Sequence, residues 1–391
     1  MQLHLLADGI GPRPTGDLVS RAEAFCVEAP YRQPPFNMRN WGGPLHSLCS
    51  YQGKLKPSIA AFLVSWFSEP GDRVLDPMSG VGSVPLEARR QGRVGIGNDL
   101  SPLAATVSAA KLVPFDTDDV DDVLGRLTKR LDEDTPLSVL ERSVDVDFGL
   151  NGPIHSYFHP ETLREVLVAR HFFLTEPSNG AAHDVVRSNV LHILHGNRPY
   201  ALSRRSHPVT PLAPTGEFEY RSLTRQLKAR IHRILPELLA LISQPDGQAY
   251  QQDFRTLELE SPVDAILTSP PFAKSLRFWS MNWMRLWFAG WDPIDFQTEP
   301  KRYLETEQMT SFDAYSDFAR SSARLLKDGG ILVMHLGETA TLNMVDHIRP
   351  HLAPLFDIAF TGRECVLDTE SHGLSDKGAT TAHWYLFAQK C

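Results

Sequence analysis

Two acidic residues and a glycine-rich loop form the sharpest chemical signal in the sequence. Asp76 ends a short apolar run, and Gly80 and Gly82 follow it in LDPMSGVGSVPLEA, residues 75–88. Glycines let a chain turn tightly and approach a ligand closely, and the amide groups at the start of a following helix can polarise a bound group. Asp99, 23 residues after Asp76, ends a second apolar run, where a carboxylate can bind ribose hydroxyls. Two negative charges suit a cationic ligand with an amino-acid end better than a pyrophosphate.

This arrangement resembles the S-adenosylmethionine site of class I methyltransferases. A dinucleotide-binding fold could use the same aspartate at the second strand. However, the glycine run here is G-V-G rather than G-x-G-x-x-G, and an Asp-Pro pair precedes it. The resemblance therefore implies S-adenosylmethionine as the cofactor.

A second chemical signal lies in DAILTSPPF, residues 264–272, where an apolar run ends in Ser269, Pro270, Pro271 and Phe272. This segment resembles the catalytic motif of the DNA amino-methyltransferases, which modify the exocyclic nitrogen of cytosine or adenine. That amine is a poor nucleophile because its lone pair is delocalised into the ring. The resemblance implies that the Ser269 hydroxyl and the Pro270 carbonyl accept its hydrogens, on a loop that the two prolines stiffen. Phe272 would stack on the base, which would be flipped out of the duplex.

Further matches to the same family extend the predicted cofactor site. SYQGKLKP, residues 50–57, resembles the segment that closes over the methionine end of the cofactor, and Asp253 stands where the family places a carboxylate near the adenine. The residues expected to hold the cofactor are Tyr51, Lys54, Pro57, Asp76, Pro77, Met78, Gly80, Gly82, Ser83, Asp99, Leu100, Asp253 and Phe254.

The residue types favour one reaction but leave alternatives. Serine at position 269 is more typical of N4-cytosine enzymes than of N6-adenine enzymes. No Pro-Cys dipeptide occurs, so the covalent route of cytosine-C5 methylation has no candidate nucleophile. Methyl transfer from a sulfonium requires alignment rather than a metal. The alternatives are an N6-adenine DNA methyltransferase, an RNA base methyltransferase, and a non-catalytic nucleic-acid-binding module that keeps the fold.

The pattern of apolar residues predicts a parallel sheet, which would place the two motifs together at one edge. Residues 73–99 read as strand, loop, helix and strand, with strands too apolar to be half-exposed. The fold class predicted is α/β, a Rossmann-like class I methyltransferase mixed sheet with a largely helical insertion. The predicted parts are an irregular arm, 1–45; a catalytic domain, 46–114 and 246–391; and a helical insertion, 115–245, as the target-recognition region. Within the insertion, helices are expected near 119–131, 160–175, 183–195 and 220–243.

Charge is distributed unevenly along the chain. The net charge is −8, yet residues 195–235 hold eight basic residues against two acidic ones. Such a stretch on an acidic chain predicts a local phosphate-binding surface, with double-stranded DNA as the partner. The expected DNA contacts are Arg198, Arg204, Arg205 and His207. The alternative is that the basic residues of 221–233 form the solvated face of an amphipathic helix.

The remaining composition excludes several other classes. The four cysteines are far apart and form no CxxC pair, which argues against a disulfide scaffold and a thiolate zinc site. No apolar run is long enough to span a bilayer, and the chain starts without a basic leader region, so a cytoplasmic protein is expected. The family resemblance allows a cognate restriction endonuclease as a partner and leaves the oligomeric state open. Trp279, Trp283 and Trp287, spaced four residues apart, are predicted to be a core stripe rather than a wall beside the base.

Overall fold

The structure is a computed structural model that describes residues 10–391 except 12, 39–40, 52, 134, 143, 179, 197, 205–212, 274–277 and 366–379. Its α-helices are α1 (Leu18–Glu28), α2 (Pro57–Phe67), α3 (Ser83–Arg90), α4 (Pro102–Leu112), α5 (Thr117–Asp132), α6 (Leu137–Leu140), α7 (Pro160–Thr175), α8 (Ala181–Leu194), α9 (Leu223–Leu239), α10 (Phe278–Met281), α11 (Trp283–Phe288), α12 (Asp295–Thr298), α13 (Leu304–Glu307), α14 (Ala314–Leu325) and α15 (Met344–Leu352). Its strands are β1 (Arg73–Asp76), β2 (Val94–Asn98), β3 (Gln248–Tyr250), β4 (Val263–Thr268), β5 (Leu326–Thr339), β6 (Leu342–Asn343), β7 (Phe356–Cys365) and β8 (Thr380–Lys390).

The strands of the described residues form one mixed sheet with the order β3-β2-β1-β4-β5-β8-β7. Strands β1 to β5 run parallel to one another, whereas β8 runs antiparallel between β5 and β7. The short β6 pairs with the end of β5. A parallel half that starts at the sheet centre and one antiparallel strand inserted near the edge define the Rossmann-like class I methyltransferase fold. The predicted fold class is confirmed.

Helices cover both faces of the sheet, which explains why its central strands are apolar throughout. In β1, Val74 packs with α1, α2 and α3 on one face, while Leu75 packs with α14 and α15 on the other. Adjacent residues of a strand point to opposite faces, so β1 must be apolar at both positions. The sheet is therefore fixed from both sides, and only its edges and strand ends are open to ligands.

Helices α5, α7, α8 and α9 of the insertion pack into one core with α4 and α11. Helices α7, α8 and α9 lie close to the bounds that the apolar periodicity predicts, and α7 coincides with residues 160–175. Trp283 and Trp287 are fully buried in this core, and Trp279 packs against it, which confirms the core interpretation of the tryptophan stripe. The insertion thus contacts the segment that directly follows the Ser-Pro-Pro-Phe motif.

Candidate functional site

The two predicted motifs meet at the carboxyl edge of the sheet. Asp76 ends β1, Asp99 follows β2, and Ser269 follows β4. Because β1 pairs in parallel with both β2 and β4, the three strand ends lie side by side. Ligands bind at this edge in open α/β sheets, next to the strand at which the chain order reverses. Here that strand is β1, with β2 and β4 as its neighbours.

Asp76 links the glycine-rich loop to β4. One of its carboxylate oxygens accepts a hydrogen bond from the Thr268 hydroxyl at 2.7 Å and another from the Met78 amide at 3.2 Å. Asp76 is only 4% exposed, and this burial raises the pKa of its carboxyl to about 7, although both hydrogen bonds favour the charged form. The adjoining Pro77 carbonyl accepts from the Asn98 side chain at 3.0 Å, which fixes the loop to β2.

Asp99 holds the loop from the other side. Its two carboxylate oxygens accept the amides of Gly80 and Ser101, each at 2.9 Å. Burial raises the pKa of Asp99 to about 6. Among the described residues, neither Asp76 nor Asp99 forms an ion pair with a cationic side chain. The site therefore concentrates negative charge that no basic residue of the described chain neutralises.

The two loop glycines have the conformation that their residue type predicts. Gly80 and Gly82 have φ angles of +51° and +72°, in the left-handed region. A Cβ on Gly80 would lie 3.3 Å from the Tyr51 ring, and one on Gly82 would lie 2.8 Å from the Ser108 hydroxyl oxygen. Both positions lack space for a side chain, so the backbone of the loop is tightly enclosed.

The predicted closing segment contributes one residue directly to this enclosure. Tyr51 packs on Gly80, and its ring centroid is 5.0 Å from that of Phe278, just beyond the Ser-Pro-Pro-Phe motif. Lys54 instead donates to the carbonyl of His46, and Pro57 is the first residue of α2. The other neighbours of the loop have structural positions: Met78 packs on the sheet core, Ser83 begins α3, and Leu100 packs on the core that α4 shares with the insertion.

Asp253, which was predicted to contact the cofactor adenine, forms an ion pair with Arg255. Both of its carboxylate oxygens accept from the Arg255 guanidinium at 3.2 Å, and Arg255 also bonds Glu307 and Asp317. Phe254 is buried in the sheet core, with the Arg255 guanidinium 4.6 Å from its ring centroid. The contact of Asp253 with an adenine stays a prediction, and a bound adenine would share this carboxylate with Arg255.

The Ser-Pro-Pro-Phe motif is held on three sides. The Ser269 hydroxyl lies 3.1 Å from Nδ1 of His335 on the neighbouring strand β5. The Pro271 carbonyl accepts from the Gln308 side chain at 2.8 Å, and Pro270 is buried. Phe272 packs on Gly337, where an added Cβ would meet its ring at 2.7 Å, and on His335 and His383. The loop is thus fixed in place before any ligand binds.

Three residues of this edge were missed by the sequence analysis. Thr268 and His335 bond Asp76 and Ser269 from neighbouring strands, and the buried Tyr303 packs near Phe278 with a ring separation of 6.3 Å. One signal was present: His335 is a single imidazole in the apolar run ILVMHL, at the end of a strand that had to be buried. A polar side chain there requires a hydrogen-bonding partner.

The basic stretch divides into structural and exposed side chains. Arg204 bonds the carbonyls of Ser156 and Gly216 and covers the Phe218 ring, while Arg221 and Arg230 also donate to backbone carbonyls. Arg205 and His207 lie outside the described residues. The exposed cations are Arg198 and, on α9, Arg225, Lys228 and Arg233. The solvated-face interpretation therefore fits three members of the helix.

The described part of the chain contains no group of three side chains placed to hold a metal ion. No helix within it is long and apolar enough to cross a membrane.

Comparisons with known proteins find similar structures but no similar sequence. No family profile matches the chain, and no curated protein matches it. TrmN from Thermus thermophilus is 12% identical, with a TM-score of 0.36, over 92% of this chain and 54% of that one, so the chain spans about half of TrmN. The rRNA methyltransferase AviRa from Streptomyces viridochromogenes is 12% identical, with a TM-score of 0.36, over 92% and 96% of the two chains. A Listeria monocytogenes protein described as a class I S-adenosylmethionine-dependent methyltransferase is 10% identical, with a TM-score of 0.34, over 96% and 68%.

The strand order defines this chain as a protein of the class I methyltransferase fold. At TM-scores of 0.36 and below, the similar structures do not indicate a substrate. The substrate must be inferred from the residues at the carboxyl edge.

Alanine at Gly80 tests whether the enclosed loop holds the cofactor. We expect Gly80→Ala to weaken S-adenosylmethionine binding about tenfold in calorimetry, because the new methyl group displaces Tyr51, and to lower the free energy of unfolding by about 1 kcal/mol. Gly92→Ala is the matched control, since Gly92 has φ +77° with nothing within 4 Å of an added Cβ. It should lose similar stability but keep its affinity. Equal cofactor affinities of the two variants would contradict the assignment of the loop.

Proposed function

We propose that this protein transfers a methyl group from S-adenosylmethionine to the exocyclic amine of a flipped base in a specific DNA sequence, at N4 of cytosine. One observation carries the proposal. The Ser-Pro-Pro-Phe motif begins at the end of β4, directly beside the acidic glycine-rich loop, and the Thr268–Asp76 hydrogen bond of 2.7 Å joins the two. A cofactor loop and an amine-binding motif at adjacent strand ends are what a transfer between two bound molecules requires.

The residues of the loop fit a cationic cofactor. Asp76 and Asp99 are carboxylates whose pKa values burial raises, and a positively charged ligand would stabilise their charged forms. S-adenosylmethionine carries an ammonium and a sulfonium, and when bound it supplies a methyl group on positively charged sulfur. Asp76, Gly80 and Gly82 would hold its amino-acid end, Tyr51 would cover it, and Asp99 would bind the ribose.

The chain's own residues would prepare the amine. The Ser269 hydroxyl oxygen and the Pro270 carbonyl would accept its two N–H groups, which draws the nitrogen toward a tetrahedral geometry and frees its lone pair. Phe272 is fixed by Gly337 and by two histidines, so it offers the base a preset face. Aligning the two reactants in this way promotes the transfer, and the methylated nitrogen then releases one of its two hydrogens to solvent as a proton.

The choice of cytosine depends on the residue type at position 269. Serine has one short hydroxyl, which is more typical of N4-cytosine enzymes, whereas the N6-adenine alternative more often has a carboxylate or an amide there. The RNA alternative shares the fold and a similar loop. Radiolabelled cofactor offered with unmethylated genomic DNA and, separately, with total RNA tests the substrate class: label in the DNA supports the proposal, and label in RNA alone overturns it.

The exposed cations of the insertion are the proposed DNA contacts. The Arg233 guanidinium is 6.0 Å from the Tyr200 ring centroid, and Arg198 precedes Tyr200 by two residues in the chain. Phosphate contacts of this kind make binding depend on salt. Among the described residues, neither side chain donates a hydrogen bond to a backbone carbonyl, whereas Arg204 donates to two. We therefore assign the phosphate contacts to this pair together with Arg225 and Lys228.

Replacing Arg198 and Arg233 together with alanine should reduce the slope of log Kd against log salt by about 1.8, because each lost phosphate contact contributes about 0.9. Fluorescence anisotropy of a labelled duplex, titrated at salt concentrations from about 50 to about 300 mM, measures this slope. Arg349→Ala, which removes an exposed arginine of α15, is the control. An unchanged slope in the double variant would refute the assignment.

A further inference from the structure

A buried histidine is bonded to the serine that is proposed to receive the amine. His335 lies on β5, next to β4, and is only 4% exposed. Its Nδ1 is 3.1 Å from the Ser269 hydroxyl oxygen, while its Nε2 is buried without a hydrogen-bonding partner among the described residues. Ser269 belongs to the motif that follows β4, whereas the histidine that contacts it lies on a different strand.

The packing around His335 fixes the plane of its ring. The ring centroid lies 5.3 Å from that of Phe272, 4.8 Å from that of His383 and 5.0 Å from that of Tyr385. Burial, with a smaller contribution from His383, lowers the pKa of His335 well below its usual range, so the imidazole is neutral. A neutral imidazole has one nitrogen that donates and one that accepts.

The tautomer of His335 therefore decides what Ser269 can do. If Nδ1 carries no proton, it accepts the Ser269 hydroxyl hydrogen, and the lone pairs of the serine oxygen are left for an N–H donor. If Nδ1 carries the proton, it donates to the Ser269 oxygen. The serine's own hydrogen then competes with the amine hydrogen for the space beside that oxygen. The first arrangement leaves both lone pairs of the serine oxygen to the amine, whereas the second leaves one, so the first suits a serine that must accept a hydrogen from an amine better.

We propose that His335 is the positioning residue of Ser269: its Nδ1 accepts the serine hydroxyl hydrogen and so keeps the serine oxygen an acceptor toward the target amine. This inference rests on the proposed function, since it names the residue that orients the amine acceptor. The ring of His335 also contacts Phe272, but the proposed positioning acts through the serine hydroxyl.

The chain offers a matched control for this pair. Ser316 on α14 lies 2.7 Å from Nδ1 of His351 on α15, which is a second serine–histidine contact of the same kind, on helices that cover the sheet. The His351 pair reports what the loss of such a hydrogen bond does to the fold alone.

The first test reads the tautomer directly. In nitrogen-15 histidine NMR spectra of the full chain, the resonance absent from His335→Asn assigns His335. We expect Nδ1 to be unprotonated, Nε2 to carry the hydrogen, and the Nδ1 signal to move in Ser269→Ala but not in His351→Asn. A protonated Nδ1 would overturn the inference. This readout needs no substrate, so it stands apart from the proposed function, which fails if no DNA is methylated.

The second test is a double-mutant cycle on the single-turnover rate of methyl transfer. His335→Asn keeps an acceptor near the Nδ1 position, so its rate should fall no more than about tenfold, whereas His335→Leu should fall about 100-fold. Because both act through one hydroxyl, Ser269→Ala combined with His335→Leu should be no slower than Ser269→Ala alone. His351→Leu should leave the rate unchanged. Additive losses, or equal losses in the Asn and Leu variants, would show that His335 only supports the fold.

Discussion

Ser269→Ala is expected to lower the single-turnover rate of methyl transfer about 100-fold, which corresponds to about 2.7 kcal/mol of transition-state stabilisation. The serine oxygen is one of two acceptors proposed for the amine hydrogens, and alanine removes it without enlarging the side chain. The loop itself should remain in place, because Pro271 is bonded to Gln308 and Phe272 packs on Gly337. Affinities for cofactor and DNA should therefore change less than about twofold, since the lost interaction forms mainly in the transition state.

Ser316→Ala is the control for this prediction, because it also removes a serine hydroxyl bonded to a histidine. Its methyl-transfer rate should equal that of the unmodified protein. A rate in Ser269→Ala within about threefold of the unmodified protein would contradict the role of the serine, since a loss of one preorganised hydrogen-bonding group costs far more. Loss of cofactor binding in the same variant would instead assign Ser269 to the cofactor site.

Asp76→Asn is expected to weaken cofactor binding about 100-fold at pH 8 and at the same time to stabilise the protein without its cofactor. The carboxylate would bind the cationic cofactor, and an amide cannot replace that charge. Without the cofactor the same charge is buried and unpaired among the described residues, which costs free energy. Isothermal titration calorimetry measures the first effect, and urea unfolding at pH 8 measures the second.

The pH dependence of Asp76 has a defined sign. Its pKa is about 7 in the folded protein and 3.8 as an ordinary value, so between these limits the folded chain keeps a proton that the unfolded chain releases. Raising the pH from about 4 to about 7 therefore lowers the free energy of unfolding, by up to about 4 kcal/mol from this residue. Cofactor affinity should change in the opposite sense and rise as pH passes through 7, because the charged carboxylate binds the cation.

An aspartate outside the site, Asp184, separates the two effects. Burial also raises the pKa of Asp184 in α8 to about 7, but this residue lies in the insertion and far along the chain from the loop. Asp184→Asn should reproduce the gain in stability at pH 8 and leave cofactor affinity unchanged. If Asp76→Asn kept its cofactor affinity, or destabilised the protein at pH 8, the assignment of Asp76 would be wrong.

The local features of the site follow from the sequence because each depends on residues close together in the chain. The run from Asp76 through Gly80 and Gly82 to Asp99 contains its own strand, turn and helix signals, and the structure has the predicted elements there. The left-handed angles of both glycines follow from the same residue types. Helix α5 could be located from its apolar periodicity, since its buried residues, Val120, Val123, Leu127 and Leu131, recur every three or four positions on one face.

The contacts between strands could not be predicted in this way. Thr268–Asp76 and Ser269–His335 depend on which strands are neighbours, and no local pattern contains that order. The basic stretch shows a similar limit, because composition counts charges but does not show that Arg204, Arg221 and Arg230 are bound to backbone carbonyls. Only the basic side chains that are not bonded within the fold are available to bind a partner.

Nucleoside mass spectrometry tests the central claim most directly. The protein is incubated with unmethylated genomic DNA and with S-adenosylmethionine that carries a deuterated methyl group; the DNA is then digested and its nucleosides are analysed, with Ser269→Ala as the negative control. We predict deuterated N4-methylcytosine from the unmodified protein and about 100-fold less from the variant. Deuterated N6-methyladenine would contradict the choice of base, and label found only in RNA nucleosides under the same conditions would contradict the proposed function.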